Sequence, residues 1–129
     1  MIQISEAAAI AIHAMIHLAR HDQQPQSLKV IAAAAGVSEN HLSKVLQKLV
    51  KAGLVESVKG PKGGYRLVPE KHSATLMEVY EAIDGAWKPR HCLFSGTRKT
   101  TCCCAMRPML AAINKTFEDY MTGHTIDRI

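Results

Sequence analysis

The sequence predicts a mainly α-helical fold carrying one small β-hairpin, and three observations point to it. Capping residues and closing glycines bracket five runs of helical period. A single stretch between Gly53 and Pro69 switches to period two. The composition is 47% hydrophobic but only 5% aromatic, with alanine prominent, which suits closely packed helices better than sheets.

The elements follow in order. Ser5, Ser27, Ser38 and Thr75 each precede an apolar-periodic run, where a side-chain oxygen can accept from the orphan N–H groups of a first turn. Thr75 and Glu78 have the spacing of a capping box. Gly36, Gly53, Gly85 and Gly123 follow such runs, where a left-handed residue closes a helix, and Pro108 suits the first turn of a last one. Helices are expected near 5–21, 28–35, 39–52, 76–84 and 107–122. In LVESVKGPKGGYRLV, apolar and polar residues alternate on both sides of a Gly/Pro/Lys turn, a hairpin signal. Gly63 and Gly64 permit backbone paths closed to residues with a side chain. A short helix, a tight GVS turn, a second helix and this hairpin make a winged helix-turn-helix. The 129 residues are expected to form one compact domain, with residues 1–72 as the winged module and 73–129 as a cysteine loop and a long C-terminal helix.

The net charge of +5 is localised. Between Ser27 and His72 lie eight Lys or Arg against three acids, and the rest of the chain balances eight against eight. One contiguous basic third is the footprint of a polyanion-binding surface. Helix-turn-helix modules place the second helix in the DNA major groove, here SENHLSKVLQKLVKAG. Val37, Leu42, Val45, Leu46 and Leu49 share one face and are expected in the core. Ser38, Asn40, His41, Ser43, Lys44 and Lys48 remain for double-stranded operator DNA, with Asn40 and His41 directed at base edges and Lys44 and Lys48 at phosphates. The hairpin tip adds Lys59, Lys62, Gly63, Tyr65 and Arg66.

All four cysteines lie within HCLFSGTRKTTCCCAMR, residues 91–107. The N-terminal MIQISEAAAIAIHAMIHLAR is interrupted by His13 and His17 and lacks a basic leading segment, so neither a signal peptide nor a membrane span is expected, and the chain is read as cytoplasmic. Clustered cysteines in that compartment bind metal or sense redox state more often than they staple a fold. Soft thiolates suit an iron–sulfur centre, and Arg90, Arg98, Lys99 and Arg107 nearby favour the thiolate form. A metal-free thiol switch, a zinc site and a thiol–disulfide redox enzyme are the competing readings. Against the enzyme stand the missing Cys-X-X-Cys motif and the missing βαβ context. Met15, Met77, Met106 and Met109 read as core filler, and Trp87 as packing against the last helix.

GLVESVKGPKGGYRL followed by ATLMEVYEAIDG resembles the wing and following helix of the bacterial winged-helix regulators that include the iron–sulfur assembly regulator (IscR), the nitric-oxide-sensing repressor (NsrR) and the cysteine-metabolism regulator (CymR). The resemblance runs from Ile4 to about Ile129, and VSENHLSKVLQKL is most like the nitric-oxide-sensing branch, where an Asn-His pair also opens the recognition helix. It implies a non-enzymatic, homodimeric DNA-binding transcription regulator, a repressor, built as a winged helix-turn-helix plus a long C-terminal dimerisation helix from Met106 to Met121. The repeat of Leu110, Ile113, Phe117, Tyr120 and Met121 independently gives that helix a face to bury.

The resemblance also implies a cysteine-ligated iron–sulfur cluster, 2Fe–2S or 4Fe–4S, reporting nitric oxide, oxygen, redox state or cluster supply. Cys92 matches the family's first ligand and Cys104 the third. The middle position falls near Arg98, which is no ligand, so Cys102 or Cys103 substitutes; on an extended strand Cys102 and Cys104 face one side and Cys103 the other. The fourth ligand is expected to be His13 of the first helix, from the same or the partner subunit, with His91 as another candidate. The acidic ligand that some members place near Ala9 is missing here.

Overall fold

The computed structural model describes residues 2–92 and 105–129. Five helices surround one core: α1 (Glu6–Arg20), α2 (Leu28–Ala35), α3 (Glu39–Lys51), α4 (Leu76–Asp84) and α5 (Arg107–Gly123). Between α3 and α4 the strands β1 (Val55–Val58) and β2 (Gly64–Leu67) form an antiparallel hairpin pairing Val55 with Leu67 and Val58 with Gly64. A single 3-10 turn, Pro69–Lys71, leads into α4. No helix among the described residues is long and apolar enough to cross a membrane. The mainly α fold with one small hairpin is thus present, with helix ends within one residue of expectation.

The caps explain this agreement. Ser5, Ser27, Ser38 and Thr75 each accept from the backbone N–H three residues on, at 3.0 to 3.2 Å. Gly36 closes α2 in the left-handed region, φ 68°. Gly123 departs from its reading. It is the last residue of α5, and His124 closes the helix in an extended conformation, φ −114°. The chain must be extended there because it returns to α4: Leu76 N–H donates to His124 O and Ile126 N–H to Ala74 O, both at 3.0 Å. That return buries Ile126 almost completely.

The centre of the core is α1. Ala8, Ala11, Ala14 and Met15 have no exposed surface, and Ile31, Leu42, Leu46, Leu49, Val55 and Val79 from four other elements pack into the same cluster. The first turn of α1 is held by the end of α4. Asp84 accepts from Ser5 Oγ at 2.5 Å and from Ser5 N–H at 3.1 Å, a carboxylate against a helix N-terminus. Tyr80 donates from its hydroxyl to Gln3 O at 3.3 Å.

The hairpin is held to the body through backbone. Gln26 N–H donates to Tyr65 O at 2.9 Å and Tyr65 N–H to Gln26 O at 2.8 Å, so the residue before the cap of α2 acts as a third, one-residue strand. Gly64 makes this possible: a Cβ there would collide with the Gln26 carbonyl. Behind Gln26, His17 of α1 donates from Nε2 to Gln26 Oε1 at 3.3 Å and stacks on His21 with ring centroids 4.2 Å apart. Burial, with the charge of His21 added, outweighs the Gln26 hydrogen bond and lowers the His17 pKa below 6.5.

Two outcomes follow from this clamp. Gly64→Ala must push the hairpin off Gln26 and is expected to cost about 1–3 kcal/mol in denaturant unfolding, with a Cβ-free revertant restoring it. For His17 the folded state disfavours the proton, so the unfolded chain binds more protons below pH 6.5 and stability falls as pH drops through that value. The loss of melting temperature between about pH 7 and pH 5 is therefore expected to be smaller in His17→Gln than in the unsubstituted protein. An equal loss in both would remove His17 as its source.

Candidate nucleic-acid interface and the approach to the cysteine loop

The turn Gly36–Ser38 sets α3 against α2, and the burial of Leu42, Val45, Leu46 and Leu49 fixes which side of α3 faces outward. Val37 is half-buried beside them. Asn40, Lys44 and Lys48 are exposed, and His41 and Ser43 are half-buried at the flanks. Ser38 Oγ accepts from His41 N–H at 3.2 Å, so this hydroxyl first caps the helix. The outward face also carries Gln47 and Lys51, both exposed. Sequence reading omitted them, although steps of four, seven and eleven from Asn40 place residues 44, 47 and 51 on its side of a helix.

At the hairpin, Lys59 and Lys62 are exposed at the tip, and the other expected contacts have structural tasks. Arg66 forms an ion pair with Glu56, its cross-strand partner, so part of its charge is already answered within the sheet. Tyr65 points inward, half-buried against the core on the same side of β2 as Leu67. Gly63 belongs to the turn itself. Its N–H donates to Gly60 O at 2.9 Å, and a Cβ there would strike the Val58 carbonyl. Among the described residues, the hairpin cations without an ion-pair partner are therefore the two tip lysines.

The approach to the cysteines runs from Gly85 to Cys92. Trp87 is packed against Phe117 of α5, ring centroids 4.6 Å apart, as its position suggested. Its backbone N–H donates to Glu81 of α4 at 2.8 Å, and its indole Nε1–H to Glu118 of α5 at 2.6 Å. Asn114 donates from Nδ2 to Arg90 O at 2.8 Å. Cys92 is half-buried at the end of this segment, His91 is exposed, and His13 is exposed on α1. Cys102, Cys103 and Cys104, with Arg98 and Lys99, lie outside the described residues. Among the described residues no three His, Cys, Asp or Glu side chains converge on a point that could hold a metal ion.

Helix α5 carries two apolar stripes. Leu110, Phe117 and Met121 face its own chain, while Met109, Ile113 and Tyr120 stand outward, Tyr120 with 53% of its surface exposed. The outward stripe borders a groove of about 560 Å³ that Ile2 and Ile4 complete.

The sequence profile of the Rrf2 family, described as an iron-dependent transcriptional regulator, matches residues 4–129. The HTH-type transcriptional regulator IscR of Vibrio campbellii is 30% identical over 128 residues, spanning 98% of this chain and 76% of that protein. Among solved structures, T. potens IscR superposes with a TM-score of 0.74 at 29% identity, covering 98% of this chain and 85% of that one. CymR, the global cysteine regulator of B. subtilis, superposes at 0.78 with 27% identity, covering 99% and 95%. With nearly the full chain matched and the winged helix-turn-helix in place, this protein belongs to the Rrf2 family of DNA-binding transcriptional regulators.

Proposed function

We propose that this regulator acts in the cytoplasm as a homodimeric repressor of palindromic operators, switched by an iron–sulfur cluster on its cysteine loop. The observation that carries the DNA part is the pairing of an outward polar and basic face on α3 with an exposed lysine tip beside it. Asn40 and His41, near the start of α3, are assigned to base edges. Lys44, Lys48, Lys59 and Lys62 are assigned to phosphates, with Ser38, Ser43, Gly63, Tyr65 and Arg66 in the surrounding surface. The outward stripe of α5 supports the dimer: a second copy of that stripe gives it an apolar partner. On this reading residues 1–72 bind DNA and 73–129 sense and dimerise within one compact domain.

The donor set fits an iron–sulfur group in its chemistry. Cys92 is half-buried at the end of a fastened segment beside Arg90, and three more thiols stand in the Cys102–Cys104 run. Cys92, Cys104 and either Cys102 or Cys103 would hold the group, with His13 of either subunit as the fourth ligand. When bound, the cluster supplies a centre that reacts with nitric oxide and oxygen. The protein's part is to hold thiolates at Cys92 and to pass a change there toward α5. The relatives named IscR and the family's iron-dependent description support this reading. The similarity to CymR, a cysteine regulator, favours a second one, in which the same thiols switch without metal.

On operator duplexes, Lys62→Ala is expected to weaken all sequences alike, whereas Asn40→Ala relaxes choice at one base pair at a cost of roughly 1–3 kcal/mol. Equal loss on every sequence would take Asn40 out of base readout. Affinity should fall steeply with salt, as expected for roughly six to ten phosphate contacts.

Protein purified without oxygen should carry iron and acid-labile sulfide, and Cys92→Ser and Cys104→Ser should each abolish the visible absorbance. Cys103→Ser should be milder than Cys102→Ser. Holo and apo forms should differ about tenfold or more in operator affinity, within the usual range of coupling free energies. Matched titrations at fixed salt that give one affinity for both would leave a DNA-binding protein with a passive metal site. Iron-free protein whose DNA affinity changes on thiol oxidation would establish the metal-free switch.

A further inference from the structure

Asn114 is the sole buried polar or charged residue among the described residues, only 7% exposed, on a helix whose other buried positions, Leu110 and Met121, are apolar. A leucine there would extend the stripe of Leu110, Phe117 and Met121. Instead the amide donates to the Arg90 carbonyl, two residues before Cys92. One turn along the same face of α5, Glu118 accepts the indole N–H of Trp87. The segment leaves α4 at Gly85, whose left-handed φ of 85° turns it off the helix axis. From there it is fastened at Trp87 and at Arg90, and Pro89 between them locks its own φ. Two of its three side-chain fastenings reach α5, and the third, from Trp87 N–H to Glu81, reaches α4.

We propose that Asn114, with the Trp87–Glu118 pair, is a positioning element that makes α5 respond to the state of Cys92. It rests on the reading of the cysteine loop as the sensor. A backbone displacement at Cys92 reaches Arg90 through two residues. It must then either break a partly buried hydrogen bond, taking the buried Asn114 amide from its partner, or carry α5 with it. The outward stripe of α5 then repacks, and the spacing of the two α3 helices in a dimer changes. The buried donor is what makes the connection stiff.

The test compares unsubstituted protein with Asn114→Leu, Glu118→Leu and Glu118→Gln. Iron content, apo affinity and holo affinity are measured on a duplex selected from random sequence. Asn114→Leu and Glu118→Leu are expected to load iron and to keep apo affinity within about twofold, while the holo-to-apo ratio falls from about tenfold or more to below about threefold. Glu118→Gln should keep the original ratio, because its amide oxygen still accepts from the indole. A purely structural role would lower apo affinity together with the ratio in Glu118→Leu. Amides 86–92 of apo Asn114→Leu should exchange hydrogen about tenfold faster, with those of α3 unchanged. This reading needs no cluster. Iron-loaded Asn114→Leu that keeps the original ratio would overturn the coupling alone. A ratio near one in iron-loaded, unsubstituted protein would overturn the sensor reading and the coupling together. Should Asn114→Leu lose apo DNA binding, Trp87→Phe, which keeps a ring but drops the donor, decides by the same two readings.

Discussion

The fold depends on how closely other elements can approach α1. Ala8, Ala11 and Ala14 are completely buried, and a larger side chain at any of them would hold a neighbour away. Methyl-sized surfaces let α2, α3, α4 and β2 all reach the same helix, with Met15 and Leu18 filling the remaining space. This explains a composition rich in alanine and poor in aromatics. Much of the aromatic material is gathered elsewhere, where Tyr80, Trp87 and Phe117 meet edge-on or tilted between α4, the segment after it and α5. The winged module and the C-terminal half therefore share one scaffold helix but have different packing chemistry. Small side chains give a close, unyielding junction around α1. Large rings, which can tilt past one another, lie along α5.

The hairpin illustrates why a winged module needs more than a good turn. A two-stranded ribbon is marginal by itself. Here the ribbon is completed by Gln26, which supplies two backbone hydrogen bonds in a single residue, and Leu67 and Val55 bury its inner face. The pairing is bought by Gly64. The lysines at the tip thereby stand at a fixed position relative to α3, since Gln26 immediately precedes the cap of α2. His17 reinforces the same residue from behind, so a core helix, the start of the helix-turn-helix and the wing meet at one glutamine.

Much of this was legible in the sequence because its signals are local. A serine three residues before an orphan N–H carries its reason with it, which is why four helix starts were readable from single residues. Gly123 misled because a closing glycine and a last helical glycine look alike unless the path beyond is known, and that path is set by pairing with Ala74 and Leu76. Arg66 looked free because the partner that occupies it, Glu56, is fixed by strand register. Tyr65 looked outward because the hairpin alone does not say which face meets the core. Asn114 gave no signal, since one polar residue in an amphipathic helix reads as surface. Gln47 and Lys51 were within reach of helical spacing and were missed by weighting the first turns of α3. For the cysteines, sequence supplies the donors and Cys92 its approach, while Cys102, Cys103 and Cys104 lie beyond the described residues.

The two ends of the segment leading to Cys92 are held differently, and this difference gives the coupling a direction. Its base, at Asp84 and Gly85, is tied into α1 because both carboxylate oxygens of Asp84 are engaged with the Ser5 cap. Tyr80 adds a bond from α4 to Gln3, just before that cap. The far end, at Arg90, has its carbonyl on α5. The base is thus anchored beside the alanine-lined junction around α1, while the far end sits on the helix that carries the outward apolar stripe. On the proposed coupling, a displacement arising at Cys92 would pass to α5 through Asn114 and the Trp87–Glu118 pair. The recognition helices need not deform for such a signal to reach them. In the proposed dimer each α3 is held within its own module by Leu42, Leu46 and Leu49, so a change at α5 would move whole modules relative to one another. The reader and the proposed joint thus differ in construction, alanine contacts around α1 on one side and aromatic rings along α5 on the other.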